Sequence, residues 1–252
     1  MRYAWGMDSP LTAPARGITG RGLLLASLAS IALMLACLAP AVIVFGIRMT
    51  QRKMTALTSD DLLIISALGL LAEAFGLIVA VWWFGKRRRK LSWREFGFRP
   101  VSANWVLAAI GLTFAVSIIG GALGVLAQQG FGLPAENPQI KALAPAGFSW
   151  PAAIGITLLG GVLVPIAEEM FFRGMLHRWA RDKWGFAAGA LISASVFGAI
   201  HVIPLVIPFA ILMGLAASWA YERTGSLLPG LIIHIINNTV KITLVYAVLA
   251  RG

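Results

Sequence analysis

The feature that most constrains this chain is the length of its uncharged apolar runs. A helix needs about 20 mainly apolar residues to cross roughly 30 Å of hydrocarbon. Seven stretches reach or approach that length: Gly22–Ile47, Leu62–Phe84, Ala103–Gln128, Trp150–Ala180, Gly185–Val202, Leu205–Tyr221 and Leu227–Leu249. No segment alternates apolar and polar residues as a barrel strand does, and no internal repeat is visible. The expected fold is all-α, a polytopic transmembrane helix bundle of about seven spans. The fifth and sixth stretches are short and meet at Ile203-Pro204, so six or eight spans also fit. Only 12% of the residues are charged, against about 25% in a soluble domain, too few to coat a soluble chain of this length. The single cysteine, Cys37, excludes an internal disulfide framework and a cysteine-based zinc site. The first stretch, at about 25 residues, is too long for a signal peptide and has no small-residue cleavage site. Met34-Leu35-Ala36-Cys37 faintly resembles a lipoprotein site, but the apolar run continues past it.

The net charge of +11 first suggests nucleic acid. The cations instead cluster between apolar runs, as the positive-inside rule expects, so the expected surroundings are a lipid bilayer, with no nucleic-acid partner. Lys86, Arg87, Arg88, Arg89, Lys90, Arg94 and Arg99 follow the second stretch and should face the cytoplasm. The N-terminus, with Arg2, Arg16 and Arg21, then lies on the same side, as do Arg178, Arg181, Lys183 and Arg223. The 129–149 loop, carrying Lys141 and Glu136, falls outside with the C-terminus. Arg48, Arg52 and Lys53 oppose this orientation, but the larger cluster should dominate. Three regions follow: a cytoplasmic N-terminal segment (1–21), a three-span region (22–149) and a polar-rich region (150–250). Short loops and the lack of a recognisable targeting extension point to a bacterial cytoplasmic membrane. Trp82, Trp83 and Trp93 read as an aromatic belt, and His177 as interfacial.

Among the ten acids, Glu73, Glu168 and Glu169 lie inside apolar stretches. A charge there costs at least about 2.5–3.5 kcal/mol and marks a functional site by default. His201, His234, Arg173, Asn237, Asn238 and Lys241 complete the inner polar set. Glu169 and Arg173 are an i, i+4 pair in the favourable order. Glu168 points about 100° away. His234 and Asn238 share a face, with Lys241 on the same stripe. Helix rise places Glu168 roughly 21 Å, His201 roughly 24 Å, and His234 and Asn238 roughly 15–21 Å from the cytoplasmic turns, so one layer can hold them all. Glu73 and Lys241 are expected to neutralise one another.

A desolvated carboxylate with imidazoles suits activation of water. Imidazole can share that water or bind a metal. His234 and Asn238 are the right types to stabilise an oxyanion. The chemistry expected is hydrolysis of a carbonyl compound within the membrane, a peptide bond first among candidates. Other protease designs are missing: there is no His-Glu-x-x-His, no buried aspartate pair and no Gly-x-Ser-x-Gly. Cys37 lies far in sequence from the histidines.

Three motifs carry a family resemblance. Glu168-Glu169-Met170-Phe171-Phe172-Arg173 resembles E-E-x-x-x-R, Phe197-Gly198-Ala199-Ile200-His201 resembles F-x-x-x-H, and His234-Ile235-Ile236-Asn237-Asn238 resembles H-x-x-x-N. In this order they are similar to the CAAX prenyl protease and bacteriocin-processing (CPBP, or Abi) intramembrane proteases. The resemblance makes residues 150–250 the CPBP-like catalytic region. It implies that Glu168 activates water, His201 helps hold it, His234 and Asn238 form the oxyanion site, and Glu169 and Arg173 support them. The family is commonly called a metalloprotease family, and a metal-free glutamate mechanism is also proposed for it. Zinc on Glu168, His201 and His234 and metal-independent activation both fit, the latter being preferred. The expected partner is a membrane-associated protein or peptide substrate, prenylated or of leader type. The competing readings are a non-catalytic immunity or scaffolding protein that retains the family fold, and an ion-coupled transporter. An intact motif set argues against the first, and the lack of an inverted repeat against the second.

Overall fold

The computed structural model describes residues 18–51, 57–132 and 142–251. Arg2, Asp8, Arg16, Arg52, Lys53, Glu136 and Lys141 lie outside the described residues. Among the described residues there is no strand. Helix α1 covers Gly20–Gln51 and α2 covers Ser59–Arg87. A short α3, Trp93–Phe96, precedes α4, Ala103–Phe131. The long helical stretch Trp150–Ala199 breaks at Gly185, whose φ of 85° and ψ of 172° only glycine adopts readily. It is therefore two helices, α5 over residues 150–184 and α6 over residues 185–199. Helices α7, Ile207–Thr224, and α8, Leu228–Leu249, complete the chain.

The ends follow local chemistry. Thr58 and Ser92 open α2 and α3 with capping boxes to Asp61 and Glu95. Pro151, Pro208 and Pro229 occupy first turns, where a missing N–H costs nothing. Gly132 and Gly225 close α4 and α7 in left-handed conformation.

Among the described residues, five helices are long and apolar enough to cross a membrane: α1, α2, α4, the Trp150–Ala199 stretch and α8. Leu28, Ile31, Leu35, Phe114, Ile118 and Leu126 are exposed, as lipid-facing side chains must be. The chain is an all-α, multi-pass membrane protein. One expectation needs correction at the fifth stretch. Helix α6 holds about 15 residues, or roughly 22 Å, short of a 30 Å crossing. It turns back through residues 200–206, so α6 and α7 form a hairpin whose tip carries His201.

The connecting segments gather at two ends. At one end Arg89 Nη2 donates to Thr19 Oγ1 at 3.1 Å, Arg178 Nη1 to the Glu95 carbonyl at 2.6 Å, and Ser226 Oγ to the Arg99 carbonyl at 2.6 Å. At the other, the Ala146 N–H donates to Asp60 Oδ1 at 3.2 Å and Tyr246 Oη to the Leu143 carbonyl at 3.0 Å. The segments expected to share the basic side do share one end. Trp82, Trp83 and Trp93 are partly exposed there, with Lys86 4.9 Å from the Trp93 ring and Arg87 about equally near the other two.

Candidate active site

The site is centred on the middle of α5. Val164–Phe171 is regular α-helix, but the turns on either side, Thr157–Leu163 and Phe172–His177, are widened to π geometry. Such turns re-aim the residues that follow and recur at functional sites. Pro165 accounts for the first. It has no N–H, so neither Gly161, four residues back, nor Gly160, five back, can bond to it. Helix α8 supplies both carbonyls: Asn238 Nδ2 donates to Gly160 at 3.1 Å and Thr239 Oγ1 to Gly161 at 3.4 Å. A Cβ at Gly161 would stand 2.7 Å from Thr239 Oγ1, so glycine is what lets the helices approach.

Glu168 and Glu169 are buried, on different faces of α5. Arg173 Nη1 donates to Glu169 Oε1 at 2.8 Å, and the same oxygen lies 3.1 Å from His234 Nδ1. On the other side of the ring, His234 Nε2 lies 3.4 Å from Glu168 Oε2. The imidazole thus stands between two glutamates on α5, with the guanidinium behind. Arg173 lies over the Phe197 ring at 4.9 Å, a cation–π contact. That ring also meets His234 edge-on at 5.5 Å and His201 at 4.9 Å. Glycines leave the room required: a Cβ at Gly230 would lie 2.8 Å from Glu169 Oε2, and one at Gly214 would lie 3.1 Å from Arg173 Nη2.

Glu168, Glu169, Arg173 and His234 therefore form one contiguous chain of contacts. Asn238 lies one turn along α8 from His234, with one amide hydrogen given to Gly160. His201 is half-buried at the hairpin tip, with Nδ1 2.8 Å from the Phe197 carbonyl. It joins the group through the Phe197 ring. Asn237 points elsewhere, its amide 3.5 Å from Met213 Sδ. Among the described residues, no three His, Cys, Asp or Glu side chains are gathered closely enough to hold a metal ion. The arrangement does not fit a zinc site built from Glu168, His201 and His234, and the chemistry below is written without one.

One expectation is corrected here. Glu73 does not pair with Lys241. Its carboxyl lies against Glu168, whereas Lys241 Nζ sits 3.5 Å from the centre of the Phe209 ring. The reason is packing: α2 lies on α5, while Lys241 projects from α8 towards α7. His177, read as interfacial, is fully buried between the Phe186 and Tyr221 rings, with Nε2 3.8 Å from Glu222 Oε2.

Sequence reasoning gave no role to Phe197, although its place at the head of F-x-x-x-H signalled it. Thr239 was also missed, and the signal was Pro165, which predicts orphaned carbonyls nearby.

Residues 149–240 match the family model described as type II CAAX prenyl endopeptidase Rce1-like. A Bacillus subtilis (strain 168) protein named "Putative membrane peptidase YdiL" is 25% identical over 134 residues, which cover 53% of this chain and 54% of that protein. The chain thus aligns with about half the length of that relative. No solved structure matches. The matched region holds Glu168, Glu169, Arg173, His201, His234 and Asn238, and bears out the resemblance carried by the three motifs. Helices α1, α2 and α4 lie outside it.

Proposed function

We propose that this chain is an intramembrane endopeptidase, cleaving a peptide bond in a membrane-associated protein or peptide of prenylated or leader type. The observation that carries this reading is the buried Glu168–His234–Glu169–Arg173 chain of contacts within apolar helices. Glu169 and Arg173 balance one another and hold the ring, so that Nε2 faces Glu168. With Nδ1 donating to Glu169, the neutral ring presents a lone pair at Nε2. The 3.4 Å gap to Glu168 is long for a direct hydrogen bond, and a water can donate to both groups. His201, with Nδ1 turned to the Phe197 carbonyl, offers Nε2 in place of His234 as acceptor for the water's second hydrogen.

Glu168 takes one proton from the water, whose oxygen bonds to the substrate carbonyl carbon. The oxyanion that forms accepts from the Asn238 amide hydrogen not given to Gly160. It also accepts from His234 once Nε2 shares the proton held by Glu168. Each such donor contributes about 2.7–4 kcal/mol in soluble proteases. The C–N bond then breaks, and the proton passes to the amine nitrogen. Glu168, Glu169, Arg173, His201, His234 and Asn238 are the residues assigned. The basic end, with the N-terminus, faces the cytoplasm of a bacterial inner membrane.

The test is cleavage by purified, detergent-solubilised protein in oxygen-18 water, with a panel of prenylated and unmodified apolar peptides and mass spectrometry. One solvent oxygen in the new carboxyl terminus is expected. An acylated form of the protein, trapped before hydrolysis, would contradict direct attack by water.

A further inference from the structure

Glu73 is an acid within an apolar helix that the proposed reaction does not use. Leu70, Glu73, Ala74 and Leu77 fall at i, i+3, i+4 and i+7, one stripe of α2. That stripe lies on α5. Ala74, Val164 and Ala167 form a buried cluster, with Leu70 and Leu77 packed at its margin. Leu70 Cδ1 would stand 3.3 Å from a Cβ on Gly160. Ala74 and Ala167 are both at 0% exposure, and small residues of this kind let helix backbones approach closely. Each alanine adjoins an acid, Glu73 on α2 and Glu168 on α5. The two carboxyls meet within hydrogen-bond reach. Two carboxyls hold such a contact only with a proton between them, because two carboxylates repel.

We propose that Glu73 is a positioning residue for Glu168, the two forming an acid–carboxylate pair across α2 and α5 that shares one proton and fixes the orientation of the base. The proposal rests on the reading of Glu168 as the base. It brings α2, outside the region matched to known families, into the site. The charged and titratable groups around the pair are few. From α5 they are Glu168 itself, with Glu169 and Arg173 beyond it. From α8 there is His234, 3.4 Å from Glu168. Among the described residues of α1, the cations Arg21 and Arg48 lie near the helix ends. The proton of the pair is not consumed. Water gives a different proton to Glu168, and that one leaves on the amine.

Infrared spectra of the purified full chain, titrated with pH for wild type, Glu73→Gln and Glu168→Gln, read the pair without any substrate. Each substitution is expected to move the titration of the remaining carboxyl by at least about one pH unit. In peptide cleavage, Glu73→Gln should lower kcat about tenfold, the factor that a one-unit displacement of the base's titration is worth. KM should be little changed, and the pH profile altered. Glu73→Asp, which keeps the carboxyl, should restore part of the rate. If Glu73→Gln fails to insert, Glu168→Gln carries the infrared comparison through the titration of Glu73. Spectra in which each variant merely loses its own carboxyl band overturn the pair, as does a Glu73→Gln protein with wild-type kcat and pH profile. Coupled titration in a chain that cleaves no peptide would support the pair and count against the peptidase reading alone.

Discussion

The residues that matter most are charges held away from water, and each persists through a named partner. Glu169 and Arg173 are each about 1% exposed and joined at 2.8 Å. Removing one side of such a pair leaves the other uncompensated, at about 3–5 kcal/mol. Arg173→Met should therefore lower the unfolding midpoint in detergent far more than Glu168→Gln, which keeps the shape of its side chain. An Arg173→Met protein as stable as wild type would mean that the pair does not hold the site. This pairing was legible in the sequence because i, i+4 spacing fixes it within one helix. The Glu73 contact was not, because packing between distant segments chooses that partner. Outside the apolar segments, Glu222 binds Arg181 through both carboxylate oxygens, with Nη2 to Oε1 at 2.9 Å. Burial raises the Glu222 pKa, but His177 and Arg181 together lower it by more, to a net position below the ordinary 4.5. The unfolded state then binds more protons in that interval. The contribution of Glu222 to stability is complete above about 4.5 and is lost as pH falls through the folded value. Wild type should lose stability on acidification below pH 4.5 more steeply than Glu222→Gln, as thermal melts across pH would read. Identical slopes would contradict this.

At the scale of elements, apolar runs located the helices well. Leu227–Leu249 was expected and α8 is Leu228–Leu249, while Ala103–Gln128 was expected and α4 is Ala103–Phe131. The shapes within helices were harder to read. A π-turn shifts hydrogen bonds without changing hydropathy, so the two turns that flank Glu168 left only Pro165 as a trace. The α6–α7 hairpin was half legible: Ile203-Pro204 marked its tip, but its shallow reach depends on the break at Gly185. Close packing against that hairpin positions Arg173. A Cβ at Gly214 of α7 would lie 2.9 Å from the Ala194 Cα on α6 and 3.1 Å from Arg173 Nη2. Gly214→Ala should cost about 1–3 kcal/mol through overpacking and should slow cleavage, since the guanidinium must shift. Unfolding in graded denaturant with a parallel rate measurement checks both. A variant of unchanged stability and rate would show that the hairpin yields freely.

Over the whole molecule, connecting segments collect at two ends, one of them carrying the cations 86–90, Arg94, Arg99, Arg178 and Arg223. The positive-inside rule assigns that end to the cytoplasm. With Cys37 replaced by serine, Arg88→Cys should react with a membrane-impermeant thiol reagent only in inverted vesicles, and Gly147→Cys only in right-side-out cells. The reverse pattern would turn the molecule over. The general architecture and the motif residues were legible because membrane solvation forces apolar runs and makes intramembrane charge conspicuous. The convergence of α2, α5 and α8 on one carboxylate was not, since it depends on which small residues let which helices meet. The central claim is that this convergence is catalytic and that Glu168 is its base. The most direct measurement compares kcat for wild type and Glu168→Gln on one cleaved peptide, both purified and with matched unfolding midpoints. The account predicts loss of at least about 100-fold, the lower part of the range for general acid–base catalysis. Equal rates from the two proteins would contradict it.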